Sequence, residues 1–174
     1  MLLDTMVRYL SQVRDQLTQR SLRALLEPVF DRMSSVALSS PGLVIHGAGS
    51  TVAKTGASDT YFIVNGILVK IAAATDMPAL AGTVTNAKFN VFCFFVDQAG
   101  TKTSLMGVEG ATLGALKFPQ FPKQKALIGF IIVNPTGTGN FVGGTTALDD
   151  ATVVPNVVYV NGPEGFDPYC LIGY

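Results

Sequence analysis

The dipeptide Asn65-Gly66 places the strongest constraint on this chain, because it stands between two runs of β-forming residues, 61–64 and 67–71. A two-residue type I′ turn needs positive φ at both central positions, and Asn-Gly adopts that conformation at little steric cost. The pattern predicts an antiparallel β-hairpin. An isolated hairpin is only marginally stable in water, so the rest of the chain has to supply strands that pack against it.

Further runs of Val, Ile, Phe and Thr, separated by turn residues, predict several more strands. They cover residues 89–96, 101–106, 126–133, 153–155 and 157–160. Pro155 indicates an edge strand or a bulge, because proline cannot donate a ladder hydrogen bond. Residues 118–122 are predicted to form an extended connection that two Phe side chains anchor. Short strands between turns are typical of a β-sandwich or a barrel.

The distribution of charge divides the chain near residue 35. All five arginines lie within the first 33 residues, whereas all seven lysines follow residue 50. The leading segment has no glycine, and glycine becomes frequent from residue 41 onward. We therefore predict a helical arm over residues 1–35 and a β-rich body over residues 36–174. The predicted fold class is α+β, an N-terminal helical arm followed by an antiparallel β-sandwich or barrel.

The predicted arm carries a heptad repeat of apolar residues, which is the pattern of a coiled coil. Its members are Leu3, Met6, Leu10, Val13 and Leu17. Arg20 breaks the repeat, a second apolar face follows over residues 22–30, and Pro28 is expected to end or kink the helix. Two interpretations remain open. The helix packs on the chain's own body, or the five heptad residues form an interface with other copies or with a partner.

The composition is poor in charge. Charged residues make up 14% of the chain and hydrophobic residues 48%, with a mean hydropathy of +0.40. Either the body hides much of its surface against partners, which we favour, or Thr, Ser and Asn solvate it. Zero net charge, with no basic cluster beyond residues 123–125, argues against nucleic acid as a partner. No apolar run reaches the ~20 residues of a membrane-spanning helix, and no secretory signal is visible, so we expect synthesis in the cytoplasm and no membrane partner.

Residues suited to catalysis or metal binding are few. His46 is the sole histidine, and Cys93 stands in an apolar run that should bury its thiol and suppress its reactivity. His46 is expected at a strand end, bonded to backbone or exposed. Asp149 and Asp150, like the glycine-rich stretches 47–51 and 136–140, are predicted to form turns. We predict no catalytic residue, no cofactor and no metal ligand, and hence no enzymatic activity.

Three segments carry a resemblance to a known class of proteins. They are Asn86-Ala87-Lys88-Phe89-Asn90-Val91-Phe92, Lys117-Phe118-Pro119-Gln120-Phe121-Pro122 and Asn134-Pro135-Thr136-Gly137-Thr138-Gly139-Asn140-Phe141-Val142-Gly143-Gly144. Through them the stretch 83–155 resembles bacteriophage virion structural proteins of the head-decoration (cement) and minor capsid type.

The resemblance implies a non-enzymatic decoration protein that oligomerises, as a homotrimer, and stabilises the phage head. Its expected partners are its own copies and the major capsid protein or another virion protein. Its expected location is the virion, after synthesis in the host cytoplasm. The alternative is a fibre or receptor-binding adhesion module that its N-terminal helix attaches to the virion.

Overall fold

In the computed structural model, which describes residues 19–162, one α-helix precedes eleven β-strands. The helix α1 spans Gln19–Met33. The strands are β1 (Val36–Ala37), β2 (Val44–Ile45), β3 (Ala53–Lys54), β4 (Thr60–Val64), β5 (Ile67–Ile71), β6 (Thr83–Val84), β7 (Asn90–Asp97), β8 (Lys102–Met106), β9 (Lys125–Asn134), β10 (Phe141–Val142) and β11 (Asn156–Asn161).

Two antiparallel sheets form a sandwich. The large sheet has the strand order β11-β9-β7-β8, and the small sheet has the order β1-β4-β5. β1 and β4 contact β9, so the small sheet lies across the large one. Phe62 and Val64 of the small sheet and Phe92, Phe94 and Ile131 of the large sheet are fully buried in the main core between them. Two further two-stranded pairs, β2-β3 and β10-β6, complete the described sheets.

Strand β7 is buried on both of its faces. Phe92 and Phe94 point into the main core, while Val91, Cys93 and Phe95 form a second cluster on the opposite face. The connection over residues 107–124 covers that second face, mainly through the half-buried side chains of Leu116 and Phe121. A strand covered on both sides has no polar face, which explains the unbroken apolar run in the sequence.

The predicted hairpin is confirmed. β4 pairs antiparallel with β5, and the two residues between them, Asn65 and Gly66, have φ angles of 50° and 78°. Positive φ at both positions is the signature of the type I′ turn. The strands predicted over 89–96, 101–106, 126–133 and 157–160 are confirmed as β7, β8, β9 and β11, with small shifts at their ends.

The strand predicted over residues 153–155 is wrong. The backbone N–H groups of Val153 and Val154 both donate to the carbonyl oxygen of Asp150, which closes a turn there. Local hydrogen bonding to Asp150 thus prevails over the β propensity of valine. Pro155 lies outside the strands, directly before β11, which is an edge strand of the large sheet.

The predicted α+β class with a helical arm over residues 1–35 is wrong. The described residues are mostly β-strand in several antiparallel sheets, and both layers of the core are sheets. Helix α1 has only 15 residues. None of the helix side chains whose burial the structure describes is buried, so they add no layer to the core. The division of the chain at residue 35 stays a prediction, and residues 1–18 lie outside the described range.

Candidate interaction surface

The single histidine sits at a strand end, as expected. His46 follows β2, its backbone N–H donates to the carbonyl oxygen of Val52 at 3.1 Å, and its Nδ1 lies 2.5 Å from Oδ1 of Asp76. Both side chains of the pair are about half exposed, at 50% and 54%. This contact ties the β2-β3 pair to the connection between β5 and β6, and because both side chains are half exposed it contributes little energy.

The buried thiol cannot serve as a nucleophile. Cys93 is fully buried in the second cluster, where burial raises the pKa of its thiol to about 12. At neutral pH the group is protonated, and the thiolate that nucleophilic chemistry needs is absent. The predicted burial of Cys93 is confirmed, and the raised pKa of its thiol agrees with the expected low reactivity.

Several carboxylates stabilise turns by accepting hydrogen bonds from nearby backbone and hydroxyl groups. Asp149 accepts two hydrogen bonds from the Gly49 N–H, at 2.9 and 3.1 Å, and joins two loops that lie far apart in the sequence. Asp150 accepts from the Thr152 hydroxyl and N–H, and these bonds lower the pKa of the Asp150 carboxyl. Residues 149 and 150 therefore form the predicted turn.

Glu109 has a similar role at the β6-β7 connection. It accepts hydrogen bonds from the backbone N–H and the hydroxyl of Thr85, and it pairs with Lys88 at 2.9 Å. The backbone bond from Thr85, followed by the bond from Lys88, lowers the pKa of the Glu109 carboxyl. Among residues 19–162, no three His, Cys, Asp or Glu side chains come together as a metal site would require.

The outward face of the small sheet is largely apolar and is uncovered in the single chain, with Lys70 directly opposite Tyr61 as its charged residue. Tyr61 and Leu68 are 39% and 63% exposed, and half-buried Ile63 lies between them, paired with Leu68 across the hairpin. Leu38, 46% exposed, joins them because its N–H donates to the Tyr61 carbonyl oxygen. We call these four residues (Leu38, Tyr61, Ile63 and Leu68) the sheet patch.

Helix α1 presents a second uncovered apolar surface. Leu22, Leu26, Phe30 and Met33 recur at spacings that place them on one side of the helix, and all four are exposed. We call them the helix stripe. Beside its C-terminal end lies an open groove of about 510 Å³, lined by Glu27, Phe30, Met33, Ser34, Asn65 and Gln124. The groove lies between the last turns of the helix and the hairpin turn.

The interface residues predicted from the sequence lie outside the described residues. They are Leu3, Met6, Leu10, Val13 and Leu17, and their role stays a prediction. The sheet patch was missed, although the hairpin sequence carries a signal for it. Tyr61 and Ile63 alternate with Phe62 and Val64, so β4 is apolar on both faces, whereas a hairpin on the surface of a monomer usually has one polar face.

The described part of the chain has no helix long and apolar enough to cross a membrane. No protein-family model, no curated protein and no solved structure matched this chain.

Proposed function

We propose that this chain is a non-enzymatic structural protein of a bacteriophage virion, and specifically a decoration protein that reinforces the capsid. The observation that carries the proposal is the apolar surface on both the sheet patch and the helix stripe. A soluble monomer rarely exposes large contiguous apolar patches, and such patches mark sites of interaction with other proteins.

The small share of charged residues supports a protein that works as part of an assembly. The chain has zero net charge at pH 7 and only 14% charged residues. Interface cores are depleted in charge, so a protein that shares much of its surface with neighbours needs fewer charged groups than a free monomer. Sequence resemblance of residues 83–155 to phage structural proteins points in the same direction.

The use of the polar side chains supports a structural role rather than a catalytic one. Asp149, Asp150 and Glu109 hold turns through hydrogen bonds from backbone N–H groups. Lys70, which lies opposite Tyr61 on the face of the sheet patch, pairs with Asp59. These groups stabilise loops of the sandwich. Fixed loops on a rigid scaffold suit a protein that binds other virion proteins.

The mechanism of a decoration protein is binding energy delivered at many equivalent sites. A contact that buries ~800 Å² per partner is a standard specific interface. Repetition over a capsid lattice multiplies weak contacts into strong attachment, because each neighbour raises the effective concentration of the next. The expected partners are other copies of this chain and the major capsid protein.

The proposal is tested by locating the chain in purified particles. Phage particles from the source culture are banded in a density gradient, and the copy number of this chain is measured by quantitative mass spectrometry against the major capsid protein. A decoration protein is expected at a fixed ratio close to that of the capsid subunit. A few copies per particle would instead indicate the fibre or receptor-binding module, and absence from the particles would contradict a virion role.

A second measurement tests reinforcement directly. Particles stripped of this chain are incubated with the purified full-length protein, and genome release is followed during heating. We expect release at a higher temperature with the wild-type protein than with bovine serum albumin at the same concentration. Equal release temperatures would contradict the decoration role.

A further inference from the structure

Each chain carries one uncovered helix and one uncovered sheet face, and within the described residues neither covers the other. The helix stripe and the sheet patch include seven side chains that are 37% to 63% exposed: Leu22, Leu26, Phe30, Met33, Leu38, Tyr61 and Leu68. An amphipathic helix and a one-sided sheet are stable when each buries its apolar surface against another layer. The two surfaces are thus of the kinds that pack on each other.

We propose that helix α1 of one copy packs its stripe on the sheet patch of a second copy of this chain. The inference rests on the proposed function, since it identifies the surface through which the structural protein self-associates. It does not involve the heptad residues 3–17. The junction adds a helix layer to the outside of each sandwich.

The link between helix and sheet favours a second copy over the chain's own helix. Only Ser34 and Ser35 separate α1 from β1. The Gly66 N–H donates to the Ser34 carbonyl oxygen at 3.3 Å, and the Asn65 N–H donates to the Ser35 hydroxyl at 3.2 Å. With this link held to the hairpin turn, α1 does not lie on the outward face of its own sheet, since Phe30 and Met33 at its end are 61% and 53% exposed.

The available area is sufficient for a specific contact. Half-exposed side chains of this size present on the order of 100 Å² each, so the seven together offer roughly 700 Å² per copy. This is close to the ~800 Å² that each partner contributes to a standard interface. Either surface alone falls well short of that figure, which favours an arrangement in which every copy uses both.

The charge around the two surfaces permits the contact. The chain has zero net charge, so two copies approach without long-range repulsion. Lys70 lies on the same face as the sheet patch, opposite Tyr61, and its pairing with Asp59 offsets its charge there. Helix residues Arg23 and Glu27 are exposed next to the stripe and place one charge of each sign at its border.

The first experiment measures the mass of the full-length protein by sedimentation velocity over a range of concentrations. The variants are Leu26→Asp in the helix stripe and Leu68→Asp in the sheet patch. The matched control is Leu113→Asp, because Leu113 is 55% exposed and belongs to the 107–124 connection, which covers the opposite side of the large sheet. Circular dichroism confirms that each variant keeps its fold.

We expect the wild type and Leu113→Asp to associate alike. Each interface variant should dissociate at concentrations at least tenfold higher, because a carboxylate in the contact is buried without a partner. An equimolar mixture of Leu26→Asp and Leu68→Asp should associate more tightly than either variant alone but less tightly than the wild type, since a mixed dimer keeps one unsubstituted helix-on-sheet contact out of two.

Crosslinking with a bis-maleimide identifies the pairing directly. Phe30→Cys and Tyr61→Cys are made in separate chains, each with Cys170→Ser, while Cys93 stays unreactive because it is fully buried. The proposal requires crosslinks between the two different variants. Crosslinks of Phe30→Cys with itself alone, or an intramolecular crosslink in a chain carrying both substitutions, would overturn it.

The outcomes separate this inference from the proposed function. Wild-type oligomers that resist both interface substitutions would overturn the helix-on-sheet contact and leave a virion role standing through other surfaces. A monomeric wild type at all concentrations would overturn the contact as well. Absence of the chain from purified particles would contradict the proposed function even if the helix-on-sheet dimer forms.

Discussion

Replacing Phe121 with alanine is expected to detach one connection while the sandwich stays folded. The Phe121 ring lies edge-on to Phe95 with 5.0 Å between ring centroids, and edge-on to Phe118 at 6.3 Å. It is half-buried against the outer face of β7. The side chain thus holds the connection over residues 107–124 on the large sheet without entering the main core.

The magnitude follows from these contacts. Losing a half-buried Phe costs about 1–2 kcal/mol in apolar burial, and two edge-on aromatic pairs add about 0.5–1.5 kcal/mol each. A loss of roughly 3 kcal/mol raises the population of the opened connection about 100-fold. Because the main core is untouched, the midpoint of global unfolding in urea should change much less than this loss implies.

The assay is limited trypsin digestion of the native protein, with the appearance of cuts followed by mass spectrometry. Lys117 and Lys123 lie in or next to the loosened segment, so cleavage at these two sites should accelerate about 100-fold. The matched control is Leu113→Ala, an exposed residue of the same connection. Unchanged cleavage would refute the anchoring role of Phe121. If the urea midpoint of global unfolding falls by as much as the full loss of roughly 3 kcal/mol predicts, the connection unfolds together with the sandwich.

Three further outcomes are expected. Gly137→Ala should strongly destabilise the protein in urea unfolding, because a Cβ there would lie 2.0 Å from a backbone carbonyl oxygen. The control Gly47→Ala should be nearly neutral, because a Cβ there meets nothing within 4 Å. Equal losses of stability in the two variants would contradict the close backbone approach at Gly137. In a Cys170→Ser background, iodoacetamide should modify Cys93 only after unfolding. Because the pKa of the folded thiol is about 12 and its ordinary value is 9.0, the unfolded state loses its proton first, so this group lowers stability as pH rises above about 9. Glu109 affects stability in the opposite direction, because its pKa is lowered in the folded state. The stability that Glu109 contributes is present above its ordinary pKa of 4.5 and disappears as pH falls below that value. Glu109→Gln should therefore flatten the acid side of a plot of melting temperature against pH.

The long strands were predictable because their signals are local. Asn65-Gly66 determines a turn by itself, and residues 89–96 and 126–133 are too apolar to lie anywhere but in a core. The short strands could not be predicted in this way. β1, β2, β3, β6 and β10 have two residues each, and what makes them strands is pairing with partners that are distant in sequence.

The fold class failed for a different reason. Glycine-free sequence and regular apolar spacing indicate helix in the leading segment, and α1 lies there, but it does not end at Pro28 and continues to Met33. Neither signal shows whether a helix contributes to a core. Here Leu22, Leu26 and Phe30 remain exposed and both layers are sheets, so the helix does not define the architecture. Whether a helix is buried depends on the surface that it packs against, and the spacing of its own apolar residues does not identify that surface.

The interaction surface was likewise only half visible. The sequence pattern identifies the apolar residues of α1, whereas it indicates only that Tyr61 and Leu68 lie in strands. Their exposure follows from the placement of β4 in a small sheet whose inner face is already occupied by Phe62 and Val64. Alternation shows that a strand is apolar on both sides, but it does not show which side stays uncovered.

The two-residue hairpin has a consequence for the order of events during synthesis. β4 and β5 can pair within microseconds, because their closure needs only the two residues of the turn. Strands β7 and β9 of the large sheet, which cover the inner face of the hairpin, leave the ribosome much later. They must then pair with each other across the intervening β8 and the 107–124 connection. Until that happens, the early hairpin shows apolar side chains on both of its faces. The nascent chain is therefore most vulnerable to aggregation before β9 is complete, and a chaperone that binds it should favour the segment around residues 60–71.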